Sequence, residues 1–269
     1  MFDKKVFWIA SYPRSGNTWL RFIFSHLFFN FQDFENRWNM TKLIPDIHAN
    51  KPRQILDAPV INLDDKFKSI SFCKTHSFQP SKMKKRIRNL KTVGYIYIYR
   101  HPLDVLISAI NFSYYKRINN FFFDKTLRTP SQLYEAGLID QYLINFMEKE
   151  TEIKIWKGMS VSWLENVQSW LSLQNNYRNS IIINYDKLVQ SPFENLIILR
   201  NYFPDITSAK ITSSIDIANQ LTGSKKENSF FWKKGSGNHR KYFDKKLVLD
   251  FYKKYQNTLS DLELYCESY

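Results

Sequence analysis

Residues 6–20, VFWIASYPRSGNTWL, decide the fold of this chain. The apolar run Val6–Ile9 is typical of a short strand that is covered on both faces. Tyr12-Pro13 ends that strand, and Gly16 is free to adopt the backbone angles of a tight turn around an anion. Asn17-Thr18 can begin a helix whose exposed N–H groups point at the turn. The stretch therefore predicts a strand, a loop that binds phosphate or sulfate, and a helix.

Residues that are absent from the loop help to identify the anion that it binds. The loop of nucleotide triphosphatases reads G-x-x-x-x-G-K-S/T, whereas this loop has neither the first glycine nor the Gly-Lys pair. Instead, residues 12–19 place a cation before the glycine and an aromatic ring after it. This pattern resembles the 5′-phosphosulfate loop of the sulfotransferases that use 3′-phosphoadenosine 5′-phosphosulfate (PAPS). The resemblance implies that the 5′ end of PAPS is bound by Arg14, Ser15, Gly16, Asn17 and Thr18, with Trp19 near the adenine.

A second junction between a strand and a helix strengthens the resemblance. Residues 92–99, TVGYIYIY, are rich in β-branched and aromatic residues and predict a central strand. Arg100 follows, and we expect Asp104 to cap a helix that carries Ser108. In the sulfotransferase family, an arginine at a strand end and a serine eight positions later hold the 3′-phosphate, and Arg100 and Ser108 keep that spacing. The resemblance implies this role here, and it suits a guanidinium that makes bidentate contacts and a hydroxyl that adds one donor.

A candidate base follows a third predicted strand. Residues 70–73 are strand-like and lead into Lys74-Thr75-His76, at a strand end of the kind where open α/β proteins place their sites. Sulfotransferases carry Lys-Thr-His at this point. The resemblance implies that His76 is the general base, and it leaves open whether Arg14 or Lys74 stabilises charge on the leaving phosphate. Histidine suits the role because its ordinary pKa lies near neutral pH. We expect the other histidines to be structural, namely His26, His48, His101 and His239.

Three shorter matches extend the resemblance along the chain. Residues 181–186 resemble a family strand that ends in Tyr-Glu-Asp, which implies that Tyr185 lies on the adenine side. Residues 158–170 resemble a helix that faces the substrate cleft, and an ordinary amphipathic helix is the alternative. The family's Arg-Lys-Gly loop, which closes over the 3′-phosphate, is matched by Lys233, Lys234 and Gly235. Arg14 departs from the family's usual lysine, and because an arginine stays protonated it can stabilise charge but is a poor proton donor.

One catalytic domain accounts for the chain. The motifs between Arg14 and Lys234 span most of the 269 residues, so we expect a single sulfotransferase domain over 1–269. With 43% hydrophobic residues, the chain can bury a large core. The predicted fold class is three-layer α/β, with a central, mainly parallel sheet flanked by helices, similar to the P-loop nucleotide-kinase and sulfotransferase fold. The stretches with the least regular pattern are about 33–65, 117–130 and 222–240.

The net charge of +14 favours anionic ligands. PAPS carries roughly four negative charges at neutral pH and accounts for part of this excess. Five cations within residues 82–88 are typical of a solvated helix face, and contact with a membrane surface or an acidic glycan is the alternative. No nucleic-acid-binding motif accompanies the charge, so we expect no nucleic-acid partner.

Cysteine content and hydropathy bear on the compartment. Cys73 and Cys266 do not make a disulfide framework, and no Cys/His spacing predicts a metal site. The first strand begins within a few residues of the N-terminus, and no apolar run reaches the length of a membrane span. We therefore expect a cytoplasmic protein with reduced thiols and no metal.

The expected reaction is transfer of a sulfuryl group from PAPS to a hydroxyl, or an amine, of an acceptor, which leaves adenosine 3′,5′-bisphosphate (PAP). The alternatives are a P-loop kinase and a catalytically inactive module that binds PAPS or phosphate. A kinase needs magnesium ligands and usually a loop lysine, and neither is clearly placed here. His76 argues against an inactive module. The sequence leaves the acceptor open among small molecules, lipids and glycans, and it leaves the oligomeric state open.

Overall fold

The predicted first strand lies at the centre of a five-stranded sheet. A computed structural model describes residues 4–63, 69–77, 90–123, 125–153, 162–223, 227 and 229–264. Among these residues, the strands are β1 (Lys4–Ser11), β2 (Ile61–Asn62), β3 (Ser69–Thr75), β4 (Leu90–Tyr99) and β5 (Ser180–Asn184). Their order in the sheet is β2-β3-β1-β4-β5. The sheet is mainly parallel, as predicted, because only the short β2 runs antiparallel to its neighbour β3 among these described strands.

The burial pattern of β1 shows that the sheet is covered on both faces. Every residue from Val6 to Ser11 is buried. Because successive side chains of a strand point to opposite faces, both faces of the sheet are covered at β1. Phe7, for example, meets Phe72 and Phe203 edge-on, at centroid distances of 5.8 Å and 5.5 Å. This covering of both faces agrees with the predicted three-layer α/β class.

The chain divides into two units, and the sheet belongs to the first, Met1–Tyr99 with Glu165–Gly223. In this unit the helix Asn17–Phe29 follows β1 and packs against the helix Ser208–Thr222. The other α-helices of the unit are Met40–Leu43, Pro52–Leu56, the part of Trp163–Leu171 from Glu165 onward, Tyr185–Gln190 and Pro192–Leu196. Its 3₁₀ turns are Arg37–Asn39, Gln174–Asn176 and Ile197–Asn201. The described part of the stretch 33–65, residues 33–63, is therefore more regular than its sequence pattern indicates. The single domain over 1–269 stays a prediction.

The second unit comprises Arg100–Leu164 with Ser224–Tyr269. Its described α-helices are Pro102–Tyr115, Pro130–Glu135, Asp140–Glu148, Lys245–Lys254 and Gln256–Asp261, and its 3₁₀ turns are Asn119–Phe121 and Asn238–Lys241. The helices Asp140–Glu148 and Lys245–Lys254 pack together, with Phe146 stacked on Phe251 at a centroid distance of 6.0 Å. This packing gives the unit an aromatic core.

The helix Pro102–Tyr115 begins earlier than the sequence analysis expects. Pro102 is its first residue, which suits the fixed φ of proline and its missing N–H. His101 is the N-cap, and its Nδ1 accepts from the main-chain N–H of Leu103 at 3.3 Å. The prediction that Asp104 caps this helix is therefore wrong. Asp104 lies in the first turn, where its carboxylate is available for other partners.

Candidate functional site

The loop between β1 and the helix Asn17–Phe29 has the backbone of an anion site. Arg14 has a φ of 68° and Gly16 a φ of 98°, so two left-handed residues flank Ser15. Such alternation is typical of a concave backbone that collects N–H groups around an anion. Gly16 is the N-cap of the helix and no side chain caps it, so the first helical N–H groups lack a side-chain partner there. The predicted order of strand, loop and helix is confirmed, and the binding of an anion by the loop stays a prediction.

Two polar atoms beside this loop are buried without a partner among the described residues. They are Ser15 Oγ and Asn17 Oδ1. Asn17 is held from its other side, because its Nδ2 donates to the carbonyl oxygen of Ile9 at 3.1 Å. A buried polar atom without a partner costs free energy, about 1–3 kcal/mol. Ser15 Oγ is therefore a candidate donor to an anionic ligand, and this contact stays a prediction.

Tyr185 packs directly on the loop. A Cβ atom added at Gly16 would lie 2.4 Å from Cδ2 of the Tyr185 ring, so the ring occupies the space that only glycine leaves open. The same ring meets Trp19 edge-on at a centroid distance of 6.5 Å, and Trp19 Nε1 donates to Asn219 Oδ1 at 3.1 Å. The structure thus brings Tyr185 into contact with Gly16 and Trp19, which lie far from it in the sequence. The proposed adenine contacts of Tyr185 and Trp19, and the contact of Thr18 with the phosphosulfate, stay predictions.

His76 is fixed against the strand that leads into the loop. β1 pairs with β3 so that Ala10 is opposite Thr75, and the residues that follow them, Ser11 and His76, are therefore neighbours. His76 Nδ1 lies 2.8 Å from the carbonyl oxygen of Ser11. Because a carbonyl oxygen only accepts, Nδ1 carries the proton in this contact and Nε2 is the unprotonated nitrogen. Burial and the nearby Lys74 hold the pKa of His76 well below its ordinary value, which keeps the ring neutral.

Lys74 and Asp46 form a buried ion pair that the sequence analysis missed. Lys74 Nζ lies 2.5 Å from Asp46 Oδ2. Burial lowers the pKa of Lys74 to about 8, although Asp46 acts in the opposite direction. Burial alone would raise the pKa of Asp46, but the charge of Lys74 and the hydrogen bonds from Lys74 and from the main-chain N–H of His48 lower it well below its ordinary value. The predicted contact of Lys74 with the leaving phosphate stays a prediction.

His48 contacts the same strand end and was expected to be structural. Its Nε2 accepts from the main-chain N–H of His76 at 3.2 Å, and the two rings lie nearly parallel at a centroid distance of 6.3 Å. The main-chain N–H of His48 in turn donates to Asp46 Oδ1 at 2.9 Å. Histidine spacing alone gives no sign of this pairing, because residues 48 and 76 are far apart in the sequence.

In the second unit, Arg100 is joined to the glycine loop near the C-terminus. Arg100 Nη2 donates to the carbonyl oxygen of Gly235 at 2.8 Å and lies 4.0 Å from Asp104 Oδ2. The main-chain oxygen of Arg100 accepts from Trp163 Nε1 at 3.1 Å. Two residues that the resemblance assigns to the 3′-phosphate, Arg100 and Gly235, are thus in direct contact.

Asp104 ties the loop to the helix that follows Arg100. Its Oδ2 accepts from the main-chain N–H of Gly237 at 2.8 Å, and its Oδ1 accepts from the N–H and the Nδ1 of His239 at 2.8 Å and 2.9 Å. Burial alone would raise the pKa of Asp104, but the bond from His239 and the charge of Arg100 lower it well below its ordinary value. The buried ring of His101 stacks on His239 at 4.4 Å. Local sequence patterns do not predict this network, because Asp104 is more than a hundred residues from its partners Gly237 and His239.

The remaining candidates of the second unit differ in their surroundings. Lys233 Nζ donates to Tyr242 Oη at 3.3 Å and lies 5.0 Å from the centroid of the Trp232 ring. Burial lowers the pKa of Lys234 to about 8. Ser108 is half-buried in the second turn of the helix Pro102–Tyr115. The contacts of all three with a 3′-phosphate stay predictions.

Some expectations concern residues outside the described ranges. These are the basic run at 82–88, the first residues of the 158–170 match, and Cys266. Cys73 is a buried thiol. In the part of the chain that the structure describes, no helix has both the length and the apolarity needed to cross a membrane. Within that same part, no group of three histidine, cysteine, aspartate or glutamate side chains is placed to hold a metal ion.

Comparison with known sequences identifies one family. The sequence profile described as the sulfotransferase domain matches residues 4–263, nearly the whole chain. Sulfotransferase 2B1 of Mus musculus is 30% identical over 95 residues, which are 35% of this chain and 22% of that protein. The match thus spans about a fifth of the length of that relative.

Two solved structures have a similar fold. Mouse sulfotransferase SULT7A1 complexed with PAP superposes with a TM-score of 0.59 at 17% identity, over 96% of this chain and 86% of that chain. Retinol dehydratase in a complex with retinol and PAP superposes with a TM-score of 0.60 at 15% identity, over 97% of this chain and 82% of that chain. At these identities the likeness concerns the fold, and it confirms the predicted fold class.

Proposed function

The chain belongs to the sulfotransferase domain family, and from this membership we propose that it transfers a sulfuryl group from PAPS to an acceptor hydroxyl or amine. One observation carries the proposal: the Nδ1–H of His76 is committed to the carbonyl oxygen of Ser11, three residues before Arg14. A neutral imidazole with Nε2 unprotonated therefore stands beside a loop built for an anion. This pairing of a base with an anion loop suits group transfer from an anionic donor.

The loop of the first unit fits the 5′-phosphosulfate. Ser15 Oγ is buried with no partner among the described residues, and the N-terminus of the helix Asn17–Phe29 has no side-chain cap. Both features suit an anionic group, which a helix N-terminus and a hydroxyl donor stabilise. When bound, PAPS supplies an activated sulfuryl group on a phosphate leaving group.

His76 removes the proton of the acceptor. Its Nε2 accepts the proton as the acceptor oxygen or nitrogen forms a bond to sulfur, and the bond between sulfur and the bridging phosphate oxygen breaks. The electron pair of that broken bond stays on the phosphate, which leaves as PAP. Arg14 and Lys74 stabilise the negative charge that develops there. A neutral ring is required for this role, and burial together with Lys74 keeps the pKa of His76 low.

The 3′-phosphate of PAPS is assigned to a second set of residues. Arg100, Ser108 and the Lys233–Gly235 loop take this role by resemblance to the family, and the bond from Arg100 to the Gly235 oxygen supports it. PAP is present in the structures of mouse sulfotransferase SULT7A1 and of retinol dehydratase, which supports the same ligand here. The acceptor is a small molecule, a lipid or a glycan. We place the protein in the cytoplasm, without a metal or a nucleic-acid partner.

A screen of acceptor classes with ³⁵S-labelled PAPS tests the proposal. Phenols, steroids, sugars, glycolipids and amines are offered separately, and we expect label to pass to at least one class without added magnesium. Binding of PAP, and of ATP with magnesium, is measured in parallel by calorimetry. If the protein binds ATP with magnesium in preference to PAP, the kinase alternative is correct. If PAP binds but no acceptor class is labelled, the chain is an inactive binding module.

A further inference from the structure

Asp46 is the acidic partner of a lysine that lies two residues before the candidate base. The side chains of Asp46 and Lys74 are 16% and 9% exposed, and their charged atoms are 2.5 Å apart. A pair this close and this shielded is far less screened by solvent than a surface ion pair. Removing one member would leave the other as an uncompensated buried charge.

The main chain holds Asp46 in register with Lys74. The main-chain N–H of Lys74 donates to the carbonyl oxygen of Pro45 at 2.8 Å, and the N–H of Ile47 donates to the carbonyl oxygen of Lys74 at 3.0 Å. Asp46 is thus bridged to Lys74 in parallel fashion at the carboxyl end of β3. Its other carboxylate oxygen, Oδ1, accepts from the N–H of His48. Both carboxylate oxygens are engaged, so the orientation of the side chain is fixed.

Lys74 lies close to another buried cation, so a nearby anion is needed to keep Lys74 charged. Arg21, from the helix Asn17–Phe29, is buried close by, and its charge lowers the pKa of Lys74. His76 follows the end of β3, two residues after Lys74, and the main-chain N–H of His48 donates to Asp46 from the 45–50 segment. Asp46 raises the pKa of both Lys74 and Arg21 and is the acid that acts on them both. Without its charge, two buried cations would repel each other.

We propose that Asp46 is a positioning residue for sulfuryl transfer, which holds the Lys74 ammonium in its charged form at the carboxyl end of β3. This inference rests on the proposed function. Asp46 acts through Lys74 and does not itself touch the donor. A lysine held charged by a buried carboxylate remains able to stabilise the leaving phosphate at neutral pH, where burial alone would favour its neutral form.

A direct titration of Lys74 tests, without any substrate, whether Asp46 keeps the Lys74 ammonium charged. The ¹³Cε signal of Lys74 is followed against pH in labelled wild-type protein, in Asp46→Asn and in Asp57→Asn. Asp57 is the matched control, because its side chain is 68% exposed and pairs with Arg53 on the surface of the same unit. We expect a midpoint near pH 8 in the wild type and in Asp57→Asn. In Asp46→Asn the midpoint falls below about pH 7. An unchanged midpoint in Asp46→Asn overturns the inference.

Kinetics with the acceptor found in the ³⁵S screen test whether this effect of Asp46 on Lys74 matters for sulfuryl transfer. At pH 7.5 we expect Asp46→Asn to lower kcat on the order of 10–100-fold, with the KM for PAPS within about threefold, and to recover part of that loss as pH is lowered. A purely structural role would lower kcat by the same factor at every pH, and that result overturns the inference. If Asp46→Asn fails to fold, Asp46→Glu keeps the charge and is expected to keep the wild-type midpoint. A wild type that labels no acceptor contradicts the proposed function, while the titration still decides the role of Asp46.

Discussion

His76 Nδ1 lies 2.8 Å from the carbonyl oxygen of Ser11, the last residue of β1. Ser11 belongs to the strand that leads into the anion loop, so the candidate base and the loop are anchored to one short piece of main chain. The contact also decides which ring nitrogen is protonated, because the carbonyl oxygen only accepts. The orientation of the His76 ring and the position of the anion loop are therefore both set by the end of β1.

His76→Ala should reduce kcat on the order of 10²–10⁴ while leaving PAP affinity within about threefold of the wild type. The alanine removes Nε2, the atom that accepts the proton, and leaves the loop intact. Steady-state rates with a hydroxyl acceptor and PAP calorimetry measure the two effects. Strongly acidic phenols must be avoided, because they ionise unaided. Near-normal turnover of the variant would mean that the base lies elsewhere.

The activity of the wild type should persist on mild acidification. Burial and Lys74 lower the pKa of His76 well below its ordinary value of 6.5, so the ring stays neutral and able to accept a proton at that pH. Activity should fall only as pH drops through the lowered pKa. A rate profile between about pH 5 and 8 checks this. An acid limb centred at 6.5 or above would show that the ring is more solvated than its contacts indicate.

Gly16→Ala should weaken PAP binding and lower stability. Its φ of 98° is left-handed, which costs an alanine about 1–2 kcal/mol, and the new Cβ would lie 2.4 Å from the Tyr185 ring. Gly223→Ala is the control, because Gly223 has a φ of −43° and the nearest atom to an added Cβ is 3.5 Å away. Calorimetry and thermal unfolding compare the two variants. Equal PAP affinity in both would contradict the placement of the anion at this loop.

Arg14→Lys should keep substantial turnover, whereas Arg14→Ala should lose a few kcal/mol of transition-state stabilisation. The lysine keeps a fixed positive charge near the leaving phosphate, and the alanine removes it. The measurement is kcat/KM for PAPS at one acceptor concentration. Turnover of Arg14→Ala equal to that of the wild type would assign charge stabilisation to Lys74 alone.

PAP should bind more tightly than AMP, and Arg100→Ala should remove most of that preference, roughly 1.5–3 kcal/mol. The physical reason is loss of the charge-assisted contact with the 3′-phosphate. Arg53→Ala serves as the control, since the Arg53 side chain is 93% exposed. Calorimetry with both nucleotides gives the difference directly. A wild type with equal affinity for PAP and AMP would contradict the PAPS proposal.

Asp104→Asn should lower the free energy of unfolding at pH 7 by about 3–5 kcal/mol, because it breaks a buried network and places an amide N–H₂ toward other donors. Asp104 has a folded pKa below the ordinary 3.8, so it contributes stability above that pH and loses it as pH falls through the folded value. Denaturant unfolding from pH 7 down to about pH 3 should show a flatter pH dependence in Asp104→Asn. Identical acid dependence of the two proteins would rule out this contribution.

The parts of the fold that the sequence predicts are those that depend on local patterns of residues. The strand, loop and helix of residues 6–20 depend on neighbouring residues, since an apolar run, a Pro and a Gly act within one or two turns of chain. Local patterns of the same kind predict Arg100 directly after β4 and Lys74 near the end of β3, and both are found there. The parallel sheet then follows, because strands joined by helices pair in parallel.

The features that the sequence does not predict depend on contacts between residues that are far apart in the chain. The pairing of Asp46 with Lys74 depends on how the 45–50 segment lies along β3, and no local pattern specifies it. Asp104 was expected to cap a helix, but Pro102 begins that helix earlier and leaves the carboxylate to His239. In both cases a charged side chain has an acceptable local role in the sequence and a different one in the folded chain.

The main-chain bonds of Pro45 and Ile47 to Lys74 also matter for solubility. A strand at the border of a sheet exposes unpaired N–H and C=O groups, which invite pairing with other chains. β2 covers the start of β3 at Ile70, and the 45–47 segment covers its end at Lys74. Deletions that shorten this segment would therefore uncover an apolar strand border and cause self-association, beyond any effect on catalysis.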